Sequence, residues 1–143
     1  MISSGIQGSG SPAAGGSRIG KCGAGRRALI VEDETLVAWH LEAILQELGF
    51  QVCEIVSTGK EAVLEASTAT PDIIFMDVNL AGDVDGIEAA KQILEKNDIT
   101  IVFITAYSDD APTIQRIRSA LGDNIVLGKP VTPTAIQAAM LRL

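Results

Sequence analysis

Aromatic residues are scarce in this chain of 143 residues, which has one Trp, one Tyr and three Phe. Hydrophobic residues nonetheless make up 47% of it, so any core must be built mainly from aliphatic side chains. That much apolar material can form one sizeable core, and it excludes a chain that is disordered along its whole length. With so few aromatic side chains, a surface that stacks the bases of a single strand is not expected.

Basic residues are also few beyond the N-terminus. The net charge is -7, yet four basic residues precede the first acidic residue, Glu32: Arg18, Lys21, Arg26 and Arg27. The first 27 residues therefore carry +4 and the remainder carries -11. An acidic domain of this kind repels phosphate backbones, so we expect no direct binding to nucleic acid.

Cysteines and long apolar runs are equally sparse. Cys22 and Cys53 form no CxxC and no metal-ligand spacing; we expect Cys53 to be a small buried side chain and Cys22 to be free. Such usage fits a reducing compartment. No apolar run approaches the roughly 18 residues of a membrane span, and the N-terminus lacks a secretory h-region. The sequence predicts a cytoplasmic protein with no membrane partner.

The first 27 residues hold eight of the fourteen glycines, many serines and no hydrophobic period. We interpret residues 1–27 as a flexible Gly/Ser-rich linker or N-terminal extension, and a remnant of expression is an open alternative. Residues 28–143 form the predicted folded domain.

In that domain, short apolar runs alternate with segments of helical spacing. The runs that predict strands are 28–31, 52–56, 73–76, 99–104 and 125–127. The helices between them are predicted around 37–48, 57–69 and 110–121, with a further helix that follows the Gly82 and Gly86 loop and ends near 96, and a last helix capped by Thr132. Uninterrupted apolar strands joined by helices indicate an α/β fold, a single doubly wound parallel five-stranded sheet with strand order 2-1-3-4-5.

Polar side chains follow the strands of this predicted sheet. Glu32 and Asp33 follow the first strand, Asp77 the third, Thr105 the fourth and Lys129 the fifth. Neighbouring strands lie about 4.8 Å apart, and ligands bind at the carboxyl ends of such sheets. We therefore expect these five side chains to meet in one cleft.

Three neighbouring carboxylates repel one another, and a divalent cation relieves that repulsion. Oxygen ligands with open positions favour Mg2+ as the cofactor. Asp77 can then attack a phosphoryl donor and form an aspartyl phosphate. The charge of Lys129 and the hydroxyl of Thr105 suit the phosphoryl oxygens.

Four segments, each closing an apolar strand, resemble the signatures of response-regulator receiver domains, which have a flavodoxin-like (βα)5 fold. They are Val31-Glu32-Asp33-Glu34, Met76-Asp77-Val78-Asn79, Ile104-Thr105-Ala106 and Gly128-Lys129-Pro130. The resemblance covers about residues 27 to 143. It implies a signal-transduction module of a two-component phosphorelay.

The resemblance also implies a role for each site residue. Asp77 is the phosphoacceptor, and Asp33, Asp77 and the backbone carbonyl of Asn79 bind Mg2+, with Glu32 reaching the metal through water. Thr105 and Lys129 contact the phosphoryl group, and Lys129-Pro130 is expected to be a cis peptide. The implied partners are a sensor histidine kinase or histidine phosphotransfer protein and a downstream protein target, with homodimerisation left open.

Some residues depart from the family pattern. Ala81 stands where the family often has proline, and the loop 81–86 looks one residue longer. Val126 replaces the Tyr or Phe that usually precedes the lysine by three residues and moves inward with the threonine. We hypothesise that Tyr107 takes over part of that switching role. The alternative is that Tyr107 is a static lid over the site.

Other functions were weighed against a signalling receiver. A phosphatase of the haloacid-dehalogenase type needs a second aspartate as general acid two residues after the first. Asn79 occupies that position, so we predict that the protein is not an enzyme. A degenerate receiver is disfavoured by the intact Asp33, Asp77, Thr105 and Lys129. The chain is expected to be a stand-alone receiver without a C-terminal output domain, or a receiver from a hybrid histidine kinase.

Overall fold

The computed structural model describes residues 22–106 and 108–143. Tyr107 and most of the predicted extension lie outside the described residues, so the switching hypothesis and the division at residue 27 stay predictions. The elements, in chain order, are β1 (Arg27–Val31), α1 (Thr35–Glu47), β2 (Gln51–Val56), α2 (Gly59–Thr68), β3 (Ile73–Asp77), α3 (Gly86–Lys96), β4 (Thr100–Thr105), α4 (Ala111–Leu121), β5 (Val126–Gly128) and α5 (Pro133–Met140).

Within the described residues the strands form one parallel five-stranded sheet in the order β2-β1-β3-β4-β5. This confirms the predicted flavodoxin-like topology. The strand bounds agree with the sequence to within one residue. At β5, for example, the strand proper starts at Val126, while the carbonyl of Ile125 accepts a hydrogen bond from the backbone N–H of Phe103 at 2.9 Å.

Two aliphatic cores cover the two faces of the sheet. Helices α1 and α5 pack on one face, and α2, α3 and α4 pack on the other. Every residue of β3 is buried, because this central strand has a strand on each side and helices on both faces. The three phenylalanines lie in these cores: the rings of Phe50 and Phe75 meet edge to face with centroids 5.7 Å apart, and Phe103 is fully buried on the other face.

Side-chain oxygens begin the helices near the site. Asp85 caps α3, Asp110 caps α4 and Thr132 caps α5, each accepting a backbone N–H three residues ahead. Pro112 and Pro133 lie in the first turn of α4 and α5, where proline is tolerated. The sequence predicted the Thr132 cap and the start of α4 near Asp110 but not the Asp85 cap.

Cys53 departs from the prediction, since it is only partly buried; its thiol donates to the carbonyl oxygen of Ala28 at 3.3 Å. β2 is an edge strand, so one side of it stays open to solvent. Both cysteines are free, and Cys22 packs against the α1–α5 core. Among the described residues, no helix has the length and apolar character needed to cross a membrane.

Candidate functional site

Backbone hydrogen bonds between strand ends bring the predicted site residues to one edge of the sheet. The N–H of Glu32 bonds the carbonyl of Val56 at 2.9 Å, and the N–H of Lys129 bonds the carbonyl of Thr105 at 3.0 Å. Between them, Asp77 is the last residue of β3 and pairs in register with Ile104. The five polar side chains predicted from the sequence therefore lie in one cleft.

The three carboxylates of this cleft form a cluster. Glu32, Asp33 and Asp77 each offer an oxygen, and these oxygens all lie within 4.8 Å of one another. Glu32 and Asp77 are 5% and 3% exposed, whereas Asp33 is open to solvent. The donor set is hard and anionic, and its open side leaves room for waters, so the residues fit a Mg2+ ion.

Lys129 supplies positive charge to the buried pair. Its ammonium nitrogen lies 2.9 Å from Glu32 Oε1 and 3.2 Å from Asp77 Oδ2, and its side chain is 17% exposed. Burial alone would lower the pKa of Lys129, but the hydrogen bond to Glu32 and the charge of Asp77 outweigh it and raise that pKa. The lysine therefore stays charged in the cleft.

The surroundings of Glu32 disfavour its ionised form. Burial raises its pKa to about 7, and the nearby charge of Asp77 adds to the rise; the hydrogen bonds from Lys129 and the Glu34 N–H act against it. A carboxylic acid near neutrality can release its proton when a cation enters the cluster. Such a shift is common at functional sites.

Asn79 connects Asp77 with Thr105 at the end of the neighbouring strand. Its backbone N–H donates to Asp77 Oδ1 at 3.0 Å. Its side-chain oxygen accepts the hydroxyl of Thr105 at 3.2 Å. Thr105 is fully buried at the end of β4. The sequence assigned only the backbone carbonyl of Asn79 to the site; that its side chain reaches Thr105 depends on how the two strands pack.

The loop after β3 is held closely against the site. Gly86 donates its N–H to the Val78 carbonyl at 3.0 Å, and a Cβ at Gly86 would overlap the Asp77 carbonyl oxygen. Asp33 Oδ2 accepts the N–H of Ala81 at 3.4 Å, which ties the same loop to β1. These contacts hold the loop after β3 against Asp77 and against the segment that follows β1.

An apolar groove of about 360 Å³ runs beside the cleft. It is lined mainly by one face of α1 and by the segment after β5: Leu36, Val37, His40, Leu41, Pro130 and Val131. Lys129 and Glu32 stand at its inner edge. The Lys129-Pro130 peptide is cis, as the resemblance implied. The groove opens next to the acidic cluster.

Three further residues lie outside the cleft. Val126 is partly buried against the α2–α4 core, so no ring fills the space behind Thr105 from β5. Arg116 is exposed on α4 and forms an ion pair with Asp85 at 2.7 Å. His40 is exposed on α1.

The model of the response regulator receiver domain matches residues 28–141, and the chain belongs to this family. It is 34% identical over 113 residues to the phyllosphere-induced regulator PhyR of Methylorubrum extorquens, covering 78% of this chain and 41% of PhyR. It is 39% identical over 105 residues to the transcriptional regulatory protein PdtaR of Mycobacterium tuberculosis, covering 73% and 50%. The chain thus spans half or less of these two relatives. The chemotaxis protein CheY of Thermotoga maritima is 31% identical, with 81% of this chain and 95% of CheY covered.

Solved structures agree. The receiver domain of a modulated diguanylate cyclase from Desulfovibrio desulfuricans matches with a TM-score of 0.71 and 34% identity, covering 82% of this chain and 95% of that one. The receiver domain of the sensor histidine kinase PA1611 from Pseudomonas aeruginosa matches with a TM-score of 0.72 and 30% identity, covering 83% and 97%. That structure has a magnesium ion coordinated in its active-site cleft.

Proposed function

We propose that this protein is a phosphoacceptor of a two-component phosphorelay and that Asp77 takes the phosphoryl group. The observation that carries the proposal is the position of the Asp77 carboxylate. It is buried at the end of the central strand, bonded by Lys129 and within a cluster of carboxylate oxygens. A nucleophile in such a place faces both a cation site and a fixed ammonium group.

Mg2+ is the proposed cofactor, with Asp33, Asp77 and the Asn79 backbone carbonyl as ligands and Glu32 acting through water. Bound there, the ion would neutralise charge that develops on the phosphoryl oxygens. The acidic cluster and its solvent-open Asp33 support this assignment. Lys129, which pairs with Glu32 and Asp77, adds positive charge beside the proposed metal ligands.

Two side chains are proposed to contact the transferred group. Lys129 already reaches Asp77 and can move its ammonium group to a phosphoryl oxygen. The Thr105 hydroxyl, now donated to Asn79, can donate to another oxygen. Thr105 would have to leave Asn79 to do so, and this movement is the proposed first step of signalling. Tyr107 remains a hypothesis as the group that follows it.

The apolar groove beside the cleft is the proposed docking site of the phosphodonor, a sensor histidine kinase or a histidine phosphotransfer protein. Leu36, at the rim of the groove, is 76% exposed, and an apolar helix face laid there would bring a phosphohistidine to Asp77. Leu36→Asp should reduce phosphotransfer from the donor but leave phosphorylation by acetyl phosphate unchanged. Leu64→Asp is the matched control, because Leu64 is 62% exposed on α2, across the sheet.

We propose that the protein transfers information by stoichiometric phosphorylation and does not turn over a substrate. Asn79 offers no titratable proton at the position where an aspartate-nucleophile phosphatase has its general acid. The output would be the binding of a downstream protein target by the phosphorylated form. The cytoplasmic location expected from the sequence belongs to the same proposal.

A phosphotransfer profile tests the proposal. The purified protein is incubated with radiolabelled histidine kinases and phosphotransfer proteins of its source organism, beside its Asp77→Asn variant. Rapid label transfer from one donor to the wild type alone is expected. Equal labelling of both proteins by that donor would contradict the assignment of Asp77.

A further inference from the structure

An ion pair joins α4 to the loop that lies against the phosphoacceptor. Arg116 on α4 donates to Asp85 Oδ2 at 2.7 Å, although the two residues are 31 positions apart. The second oxygen of Asp85 accepts the Glu88 N–H at 2.9 Å and so begins α3. Burial acts to raise the pKa of Asp85, but the hydrogen bond from the Glu88 N–H and the hydrogen bond and charge of Arg116 together lower it.

This pair is one step from Asp77. Asp85 precedes Gly86, whose backbone is pressed against the Asp77 and Val78 peptide. On the other side, α4 follows Thr105 by way of residues 106–110. Arg116 thus connects α4, which follows Thr105 in the chain, to Asp85 and so to the loop that contacts Asp77.

Helix α4 is only shallowly buried; besides Ile117, Leu121 packs partly buried against the α2–α4 core. Ile117 is its one buried residue, whereas α3 buries five. A helix with so few buried residues lies at the low end of local stability, so the position of α4 is sensitive to an ion pair of modest strength.

We propose that the Arg116–Asp85 pair is a tether that holds α4 in its unphosphorylated position and opposes phosphorylation at Asp77. The inference rests on the proposed function of Asp77. When Thr105 moves towards the phosphoryl group, α4 is drawn along and the tether must lengthen or break. By reciprocity, breaking the tether favours the phosphorylated form. Arg116 is a positioning residue that acts through Asp85.

The test is a titration with beryllofluoride in saturating Mg2+, in which the NMR amide shifts of α4 report the binding. Arg116→Gln and Asp85→Asn, which keeps a capping side chain, should each raise the apparent affinity about 1.5- to 5-fold, as expected for a partly exposed ion pair. The double variant should gain no more than either single one. A simple effect of net charge would instead move the two variants in opposite directions, since one loses a cation and the other an anion.

Arg118→Gln is the control. Arg118 lies on the same helix but pairs with the exposed Asp123 at 3.1 Å, and its removal should leave the affinity unchanged. Unchanged or opposite affinities in Arg116→Gln and Asp85→Asn would overturn the tether, provided that thermal unfolding shows both to be folded. Failure of the wild type itself to bind beryllofluoride would instead overturn the proposed function of Asp77.

Discussion

The hydroxyl of Thr105, at the end of β4, donates to the side-chain oxygen of Asn79 at 3.2 Å, and Asn79 lies two residues after Asp77. The same Asn79 donates its backbone N–H to Asp77. Phosphorylation would place new acceptor oxygens next to this hydroxyl. The Thr105–Asn79 bond would then compete directly with the proposed bond from Thr105 to the phosphoryl group.

Removal of the Asn79 side chain should therefore ease binding of a phosphoryl analogue. We predict that Asn79→Ala raises the apparent affinity for beryllofluoride with Mg2+ about 2- to 10-fold, the worth of one net hydrogen bond. The backbone carbonyl proposed as a metal ligand is retained in this variant. Thr105→Ala should lower the affinity, and an Asn79→Ala variant that binds more weakly than wild type would show that the amide assists the bound state.

Binding of Mg2+ should depend on Asp33. Asp33→Ala removes the solvent-open oxygen of the cluster, and we predict at least about tenfold weaker Mg2+ binding by calorimetry or NMR titration. Asp98→Ala is the matched control, because Asp98 is an exposed aspartate in the loop between α3 and β4, at the other end of the sheet. Equal Mg2+ affinities of the two variants would remove Asp33 from the site.

Stability of the metal-free protein should depend on pH through Glu32. The pKa of its carboxyl is about 7 in the folded chain, against an ordinary value of 4.5. Between pH 4.5 and about 7, the Glu32 carboxyl is therefore protonated in the folded state but ionised in the unfolded state. The contribution of Glu32 is fully present below pH 4.5 and is lost as pH rises through 7.

Urea unfolding in the presence of a chelator measures this effect. We predict that the free energy of unfolding falls by about 1–3 kcal/mol from this group across the window. Glu32→Gln, which keeps an acceptor for Lys129, should flatten the dependence. The idea fails if the wild type and Glu32→Gln show the same slope.

The close contact of Gly86 with the end of β3 predicts that a larger side chain at position 86 destabilises the fold. In Gly86→Ala the new methyl group would overlap the Asp77 carbonyl oxygen, a backbone atom that cannot turn away. We expect a loss of about 1–3 kcal/mol in unfolding free energy and a displaced Asp77. Gly82→Ala is the comparison in the same loop: it has open space but a φ of +97°, so about 1 kcal/mol should be lost without an effect on Asp77.

Most of the fold and the membership of the cleft could be predicted from the sequence. Each apolar run ends at a polar residue, and parallel strands bring those ends to one edge; this is why Asp77 and Lys129 meet although they are 52 residues apart. Helix starts at Asp110 and Thr132 followed from local capping chemistry. Local patterns suffice where one residue type has one physical role.

Contacts that depend on side-chain reach between packed elements could not be predicted. The sequence assigned Lys129 to a phosphoryl group and Glu32 to a hydrated metal, whereas in the structure the two bond each other at 2.9 Å. The Arg116–Asp85 pair was likewise missed, because a helix pattern shows which face is polar but not which loop that face meets. The burial of Cys53 was overestimated because the pattern of β2 did not show it to be an edge strand.

The most direct test of the account is the mass of the intact protein after incubation with acetyl phosphate and Mg2+. The wild type should gain one phosphoryl group that hydroxylamine removes, as expected for an acyl phosphate, and Asp77→Asn should gain none. Asp72→Asn, which changes an aspartate just before β3 at the opposite end of that strand, should be phosphorylated like wild type. A hydroxylamine-labile phosphoryl group in Asp77→Asn at the wild-type level would contradict the claim that Asp77 is the acceptor.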